Sequence, residues 1–265
     1  MISVSHLQKN LQNWKIKASF VLVALSFSPV SLALDLPHIT AIKRFIEAVD
    51  SGDKQSVLDL TSLPIKRAAP IPPVETQADF LDRYAQIFDE ELIEIILDSN
   101  PETDWADMAW RGIMLADGLI WLDSDGKLRA INYQSIAESN LQARLIEEDR
   151  DRIHDHLKEY QSLVLDWETN QHRVRVDELD SGQYRLAIWP AGSEPGALPE
   201  LILDNGEIHF DGSGGNHYFE FRDADHHYIC YVDVLGSEDP DVPGDFALYQ
   251  QGSLVFNEPV VQVYH

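Results

Sequence analysis

The chain has 265 residues, 44% of them hydrophobic, and carries 45 acidic against 20 basic residues, which gives a net charge of −25. This length and apolar content suffice for one large or two small folded domains and argue against intrinsic disorder. The charge argues against nucleic acid or an anionic membrane surface as a partner and is compatible with a cationic protein or a cell-wall component, with a merely solvated acidic surface as the alternative.

The first 33 residues have the order of a secretory signal peptide. Lys9, Lys15 and Lys17 form a basic start without an acidic residue, the apolar run 18–27 follows, and Ser31-Leu32-Ala33 supplies the small residues of a cleavage site. We therefore expect cleavage after Ala33 and export to the periplasm or the outside of a bacterial cell. An uncleaved anchor is the alternative, although the segment is barely long enough to span a bilayer. After cleavage we expect no membrane span.

Residues 38–60 and 76–97 predict helices, because apolar residues recur at spacings of three and four. Thr76 and Asp79 form a capping signature at the start of the second helical segment. An extended segment is expected between the two, because it contains Pro64, Pro70, Pro72 and Pro73. Residues 109–133 predict three short strands separated by turns rich in Asp and Gly.

This order of elements resembles the NTF2-like (cystatin-like) α+β superfamily, in which a curved sheet wraps around a long helix. The resemblance covers residues 38–133 and includes the stretches 110–115, 118–122 and 130–132, which are similar to exported bacterial members. It implies a cone-shaped pocket whose mouth binds small molecules and carries an acidic base in some relatives. The candidates for this pocket are Asp104, Trp105 and Asp107. Packing in the core or at its rim is the alternative for the tryptophan.

Ser135 and Glu138 form a second capping signature, followed by a charged helix that we expect to run to about Tyr160. Its apolar residues are sparse and its charged run 147–152 is expected to be solvated, as in a helix that connects two domains. From residue 163 onward, short apolar runs alternate with turns and predict about eight antiparallel strands in a barrel or sandwich. Asp204-Asn205-Gly206 is the strongest hairpin signal.

The predicted fold class is therefore α+β, with an NTF2-like domain followed by a small antiparallel all-β domain. The predicted boundaries are residues 1–33 for the signal peptide, 34–134 for the NTF2-like domain, 135–161 for the connecting helix and 162–265 for the β domain.

Few residues carry a chemical signature. Cys230, the single cysteine, excludes lipidation at a mature N-terminus and an internal disulfide, and its alternating surroundings predict a small buried strand residue. A proline-flanked acidic loop offers oxygen ligands for a hard cation such as calcium, with a mobile surface loop as the alternative. Its candidate ligands are Glu238, Asp239, Asp241 and Asp245. No motif of a hydrolase or of a cofactor site is present, and we expect no cofactor.

The leading functional hypothesis is an exported, acidic, non-enzymatic binding or accessory protein of the bacterial envelope. Such a protein would act as an inhibitor or immunity-type module for a cationic protein, whose association its charge would steer. The alternative is a small-ligand-binding protein or hydrolase that uses the cone of the first domain. The sequence leaves the oligomeric state and the partner open.

Overall fold

The computed structural model describes residues 34–211, 215–234 and 242–264. The predicted signal peptide, residues 1–33, lies outside these ranges, so export remains a prediction. Within the described part of the chain, no helix is both long and apolar enough to cross a membrane.

The described chain contains helices and strands in the order that the sequence predicts, helices first and most strands last. The helices are α1 (Leu36–Asp50), α2 (Lys54–Asp59), α3 (Gln77–Ile87), α4 (Glu90–Asp98) and α5 (Ile136–Arg152). The strands before α5 are β1 (Trp105–Asp107), β2 (Ile113–Leu115), β3 (Ile120–Leu122) and β4 (Leu128–Ile131). Those after it are β5 (Ser162–Glu168), β6 (His172–Glu178), β7 (Tyr184–Pro190), β8 (Leu201–Phe210), β9 (His217–Asp223), β10 (His226–Val232), β11 (Gly244–Gln250), β12 (Ser253–Pro259) and β13 (Gln262–Val263).

The predicted α+β class is confirmed. Helices α1 to α4 share one apolar core with the small antiparallel sheet, whose strand order is β1-β2-β3-β4. Each of these helices begins at a side chain that accepts a hydrogen bond from a backbone N–H of the first turn, as the Thr76 signature predicts for α3. Strand β1 was not predicted. Residues 109–111 form a 3-10 turn instead of the expected strand, because Met108 N donates to the Gly112 carbonyl at 2.8 Å and closes a loop there.

Strands β5 to β13 form a nine-stranded antiparallel sheet that curls into a half-barrel, in the order β12-β11-β10-β9-β8-β7-β6-β5-β13. The all-β expectation is confirmed, but the hairpin expected at Asp204-Asn205-Gly206 is wrong. These residues lie inside β8, whose first part pairs with β7 and whose last part pairs with β9. Gly206 permits a close approach here, because a Cβ atom would lie 2.1 Å from the buried ring of Phe221.

The end of the curled sheet returns to its beginning along a seam. Tyr264 N donates to the Asp166 carbonyl at 2.8 Å, next to the pairing of β13 with β5. Glu258, at the end of β12, is buried and accepts a hydrogen bond from the Thr169 hydroxyl, and His172 Nδ1 lies 3.0 Å from its Oε2 atom. Thr169 and Glu258 are 89 positions apart in the chain. The seam therefore depends on contacts between distant parts of the sequence.

Helix α5 is anchored at its start by a buried carboxylate. Ser135 accepts a hydrogen bond from Glu138 N at 3.0 Å, which confirms the predicted N-cap. The Glu138 side chain is fully buried and accepts two hydrogen bonds from Arg67, one of them from Nε at 2.7 Å. Arg67 also donates to the carbonyls of Ile131 and Tyr133. The pair therefore ties the proline-containing segment, the small sheet and α5 to one another.

A second buried carboxylate anchors the last turns of α5 to the curled sheet. Asp149 accepts hydrogen bonds from Arg175 Nη2 at 2.7 Å, from Arg175 Nη1 at 3.2 Å and from the Tyr160 hydroxyl at 2.7 Å. Burial alone would raise the pKa of Asp149, but the hydrogen bonds and charge of Arg175 outweigh it, so the pKa is lowered. The α-helix ends at Arg152, shorter than expected, and Asp149 is buried inside the run that was expected to be solvated.

Replacing Glu138 by Gln should lower the free energy of unfolding by about 3–5 kcal/mol, because it leaves the buried Arg67 charge without its carboxylate. The control is Glu148→Gln on the same helix, where an exposed pair with Arg144 at 3.6 Å is lost. We expect the control to change stability by less than about 1 kcal/mol. Urea unfolding of both variants checks this, and equal effects would contradict it.

The stabilisation by Asp149 should depend on pH. A carboxylate with a lowered folded-state pKa stabilises the fold above its unfolded-state pKa and loses that contribution as the pH falls through the folded-state value. The difference in stability between the native protein and Asp149→Asn should therefore be constant above about pH 5 and shrink below about pH 4. Urea unfolding at several pH values measures it. The exposed neighbour Asp151, as Asp151→Asn, is the control, and a difference that grows on acidification would refute the assignment.

Candidate functional site

A cavity of about 470 Å³ lies between the extended segment 64–75 and the curled sheet. We call it the proline cleft. One wall consists of residues of the extended segment, including Pro64, Ala69, Ile71 and Pro73. The prolines keep this segment out of helical geometry, which is why it can lie along the sheet as a separate wall.

The opposite wall is formed by β5. Five consecutive residues, Leu163 to Trp167, line the cleft, and Val263 and Tyr264 at the β13 end continue this wall. Most of the lining is apolar, which is typical of sites that bind ligands by burying hydrophobic surface. Val232, Asp233 and Pro243 also line the cleft, at its Trp167 end, because Gly244, which follows Pro243, lies against the Trp167 ring.

Two of the charged groups that line the cleft are neutralised inside the protein. Arg67 is paired with Glu138, as described above. Asp166 accepts two hydrogen bonds from Arg173, from Nε at 3.1 Å and from Nη2 at 2.8 Å. These pairs are buried and hydrogen-bonded, so they shape the cleft instead of offering free charge to a ligand.

Three other charged groups at the cleft remain without a partner of opposite charge. In the parts of the chain that the structure describes, Lys66, Glu75 and Asp233 form no ion pair. Burial raises the pKa of Asp245, and the nearby carboxylate of Asp233 raises it further, against the opposing effect of a hydrogen bond with Asn257. The end of the cleft that contains Asp233 is therefore negative and would be stabilised by a cation.

A second cavity, of about 360 Å³, lies beside the buried ion pairs of α5. Its lining includes Asp149, Arg152, Asp166 and Arg173. The carboxylates of Asp149 and Asp166 are both bonded to arginines, as described above. These two carboxylates beside the cavity are therefore already neutralised by arginines of the protein itself.

The structure places Asp104, Trp105 and Asp107 around β1, each with local hydrogen bonds. Trp105 is buried in the core, with its ring 6.4 Å from that of Phe45, and its Nε1 atom donates to a serine hydroxyl. Asp104 accepts a hydrogen bond from Asn100 N at 2.7 Å, within its own turn. Asp107 accepts one from a backbone N–H at 2.7 Å and lies 3.6 Å from the ring of a histidine in α1. The alternative of core packing therefore describes Trp105, and the two carboxylates stabilise turns.

Of the calcium candidates, Glu238, Asp239 and Asp241 lie outside the described residues. Asp245 is described and lies on β11, where it pairs in register with Tyr231 and Pro259. Across 34–211, 215–234 and 242–264, no group of three or more His, Cys, Asp or Glu side chains is arranged to hold a metal ion. The calcium site stays a prediction for the acidic loop.

Side chains that would activate a nucleophile are not brought together in the described ranges. The histidine rings contact carboxylates, backbone groups or other rings, and none forms a hydrogen bond with the hydroxyl of a serine or threonine. Cys230 is fully buried on β10, as the sequence predicts, and burial raises the pKa of its thiol. The geometry therefore offers binding surfaces and no activated nucleophile in this part of the chain.

Sequence reasoning missed the residues of the cleft. The four prolines correctly indicated an extended segment, but no pattern indicated that it would face Leu163–Trp167, about ninety positions later in the chain. Asp233 follows a strand and resembles any other acidic loop residue. Only the packing of the extended segment against the sheet gives it a distinct position.

Comparison with known proteins identifies no matching family model, no similar curated protein and no similar solved structure. The contacts and charges of the chain itself therefore carry the functional inference.

The Cys230 thiol should be unreactive in the native protein. Burial and a raised pKa both keep it from forming an accessible thiolate, so labelling by a thiol reagent near pH 8 should be at least about a thousand-fold slower than in the denatured chain. The rate of colour release from an aromatic disulfide reagent, with and without denaturant, measures this. Rapid labelling of the native protein would contradict it.

Proposed function

We propose that the chain is an exported, acidic binding protein of the bacterial envelope that acts without catalysis. Its partner is a cationic protein, which it engages as an inhibitor or immunity-type module would, and the proline cleft is the binding site. The observation that carries this proposal is the unequal burial of basic and acidic residues in the curled-sheet part of the chain.

Residues 159–265 contain twenty acidic residues and only four arginines. Arg173, Arg175 and Arg185 are buried and bonded to carboxylates, with exposed fractions of 7%, 2% and 4%. The fourth, Arg222, is exposed and paired with Glu220. Little basic charge therefore reaches the surface of this part of the chain, and its field attracts cationic partners and repels anionic ones.

The cleft supplies an apolar surface that a partner can bury, which surface charge alone does not provide. Long-range attraction raises the rate of association, whereas affinity comes mainly from apolar groups buried in a pocket. The proline cleft combines an apolar lining with the carboxylate of Asp233, which forms no ion pair within the described residues. The carboxyl of Asp245 lies close enough to Asp233 for its pKa to be raised by that charge, so two carboxylates contribute negative charge at this end of the cleft.

Export of the chain and its membership of the NTF2-like superfamily are part of the same proposal. The export signal is argued from residues 1–33, and the NTF2-like resemblance is argued from the order of elements in residues 38–133. A superfamily of that kind includes binding modules as well as enzymes, so the resemblance is compatible with binding and does not decide the function.

Filling the cleft should abolish binding. In Ala69→Trp a large ring enters the cleft, whereas in Ala68→Trp the same ring is placed on the neighbouring exposed residue, which does not line it. Each immobilised protein is exposed to an envelope extract of its own organism at about 50 mM and about 500 mM salt. We expect the native protein and Ala68→Trp to retain the same cationic protein at low salt, less of it at high salt, and Ala69→Trp to retain none.

Circular dichroism and the melting temperature show whether Ala69→Trp is folded. Should it not fold, Val164→Phe fills the cleft from the opposite wall and gives the same test. Retention of the same proteins by the native protein and a folded, filled variant would refute the cleft as the binding site. Retention of no protein by the native chain at either salt concentration would refute the proposed function.

A further inference from the structure

We infer that the part of the partner that enters the proline cleft is an extended peptide segment, which lies along the edge of β5 that the described chain leaves unpaired and places a basic side chain next to Asp233. This inference rests on the proposed function and names the chemistry that the cleft recognises. It depends on the backbone of β5, on the proline wall opposite and on the charge at one end.

The residues that line the cleft identify it as a strand edge. In a β-strand successive side chains point to opposite faces, so a cavity on one face contacts alternate residues. The proline cleft contacts Leu163, Val164, Leu165, Asp166 and Trp167 without a gap. Consecutive contacts of this kind are expected when the cavity runs along the edge of the strand, where the backbone itself is accessible.

That edge is only partly occupied. Strand β13 pairs with Trp167 and Glu168, and Tyr264 N bonds to the Asp166 carbonyl. The described chain provides no strand beside Ser162–Leu165 on this side, because β6 lies on the other. The register with β6 also shifts between Leu163 and Leu165, so Val164 has no residue opposite it. Val164 is only partly buried and lines the cleft, so an added strand at this position would lie beside its backbone.

The proline wall favours the same arrangement. Pro64 and Pro73 have no backbone N–H and cannot donate to a ligand. Ile71 lines the cleft but is only 1% exposed, so it anchors this wall against the protein. A ligand segment in the cleft would therefore bond through its main chain to β5 and pack its side chains against the prolines.

The charge at the end of the cleft determines which segment fits. Asp233 has no ion-pair partner in the described ranges, and the carboxyl of Asp245 lies close enough to feel its charge. A lysine or arginine at this position would neutralise the local charge, whereas an acidic side chain would be repelled. Alternating apolar and basic residues in an extended segment meet both requirements.

The test uses the full chain and a defined probe, the peptide acetyl-Lys-Val-Lys-Val-Lys-Val-Lys-amide. Titration is followed by calorimetry and by the amide signals of labelled protein. We expect binding, slowed hydrogen exchange of the Val164 amide, and at least about tenfold weaker binding when the interior residues of the peptide are N-methylated, because this removes its main-chain donors. A peptide with Glu in place of Lys should not bind.

Variants of the protein complete the test. Asp233→Asn should weaken binding by about two- to fivefold, as expected for one partly exposed ion pair, whereas Asp180→Asn in the β6–β7 turn, which does not line the cleft, should leave it unchanged. Ala69→Trp should abolish peptide binding and Ala68→Trp should not. This pattern, together with the protection of Val164, would support the inference.

The negative outcomes separate the inference from the proposed function. Equal binding of the N-methylated peptide would overturn strand addition but leave a cleft that accepts basic, apolar segments. If no peptide binds at about 1 mM while Ala69→Trp still loses the envelope partner, the inference fails and the proposed function stands. If peptide binding and cleft-dependent retention are both absent, both fail.

Discussion

Two carboxylates buried on one helix fix the positions of the segments around it. Glu138 and Asp149 lie on α5 and are bonded to Arg67 and Arg175, which belong to parts of the chain on either side of it. A buried ion pair is weak evidence of net stability, because desolvation offsets much of its attraction. Its geometry is nevertheless demanding, because a buried charge without its partner is strongly unfavourable. The pairs therefore specify where the extended segment and the curled sheet lie relative to α5 more than they add to stability.

The proline cleft is a consequence of that arrangement. Arg67 lies within the extended segment, so its bond to Glu138 holds this segment in place, and Gln142 of α5 adds a hydrogen bond to the Ala69 carbonyl at 2.7 Å. Asp149 fixes the other end of the helix to β6, next to β5. The same pairing removes arginines from the surface. One set of interactions thus positions the walls of the cleft and leaves the outside of the curled sheet acidic.

Local features of this fold were predictable and its long-range contacts were not. The caps at Thr76 and Ser135, the buried Cys230 and most strands follow from patterns of a few residues. The hairpin expected at Asp204-Asn205-Gly206 failed because Gly206 serves a contact with Phe221, which lies on another strand. The burial of Asp149 could not be predicted from the sequence, because a run of charged residues is expected to be solvated unless its buried arginine partner is known. The cleft could not be predicted for the same reason, because its walls come from segments that are far apart in the sequence.

The seam of the curled sheet has a consequence for the order in which the protein folds. Closure of the seam brings Glu258 to Thr169 and His172, and it brings Tyr264 to Asp166. Each of these contacts closes a loop of about ninety residues. Contacts of such long range are slow to form, because the entropy of loop closure is lost before the contact is gained. During synthesis, β5 is made long before its neighbour β13. The edge of β5 that β13 covers in the folded protein therefore stays unpaired until β13 has been made. Under the export proposed above, this delay would leave the polypeptide loose enough to be threaded through a translocation channel, because a sheet of this kind cannot close early.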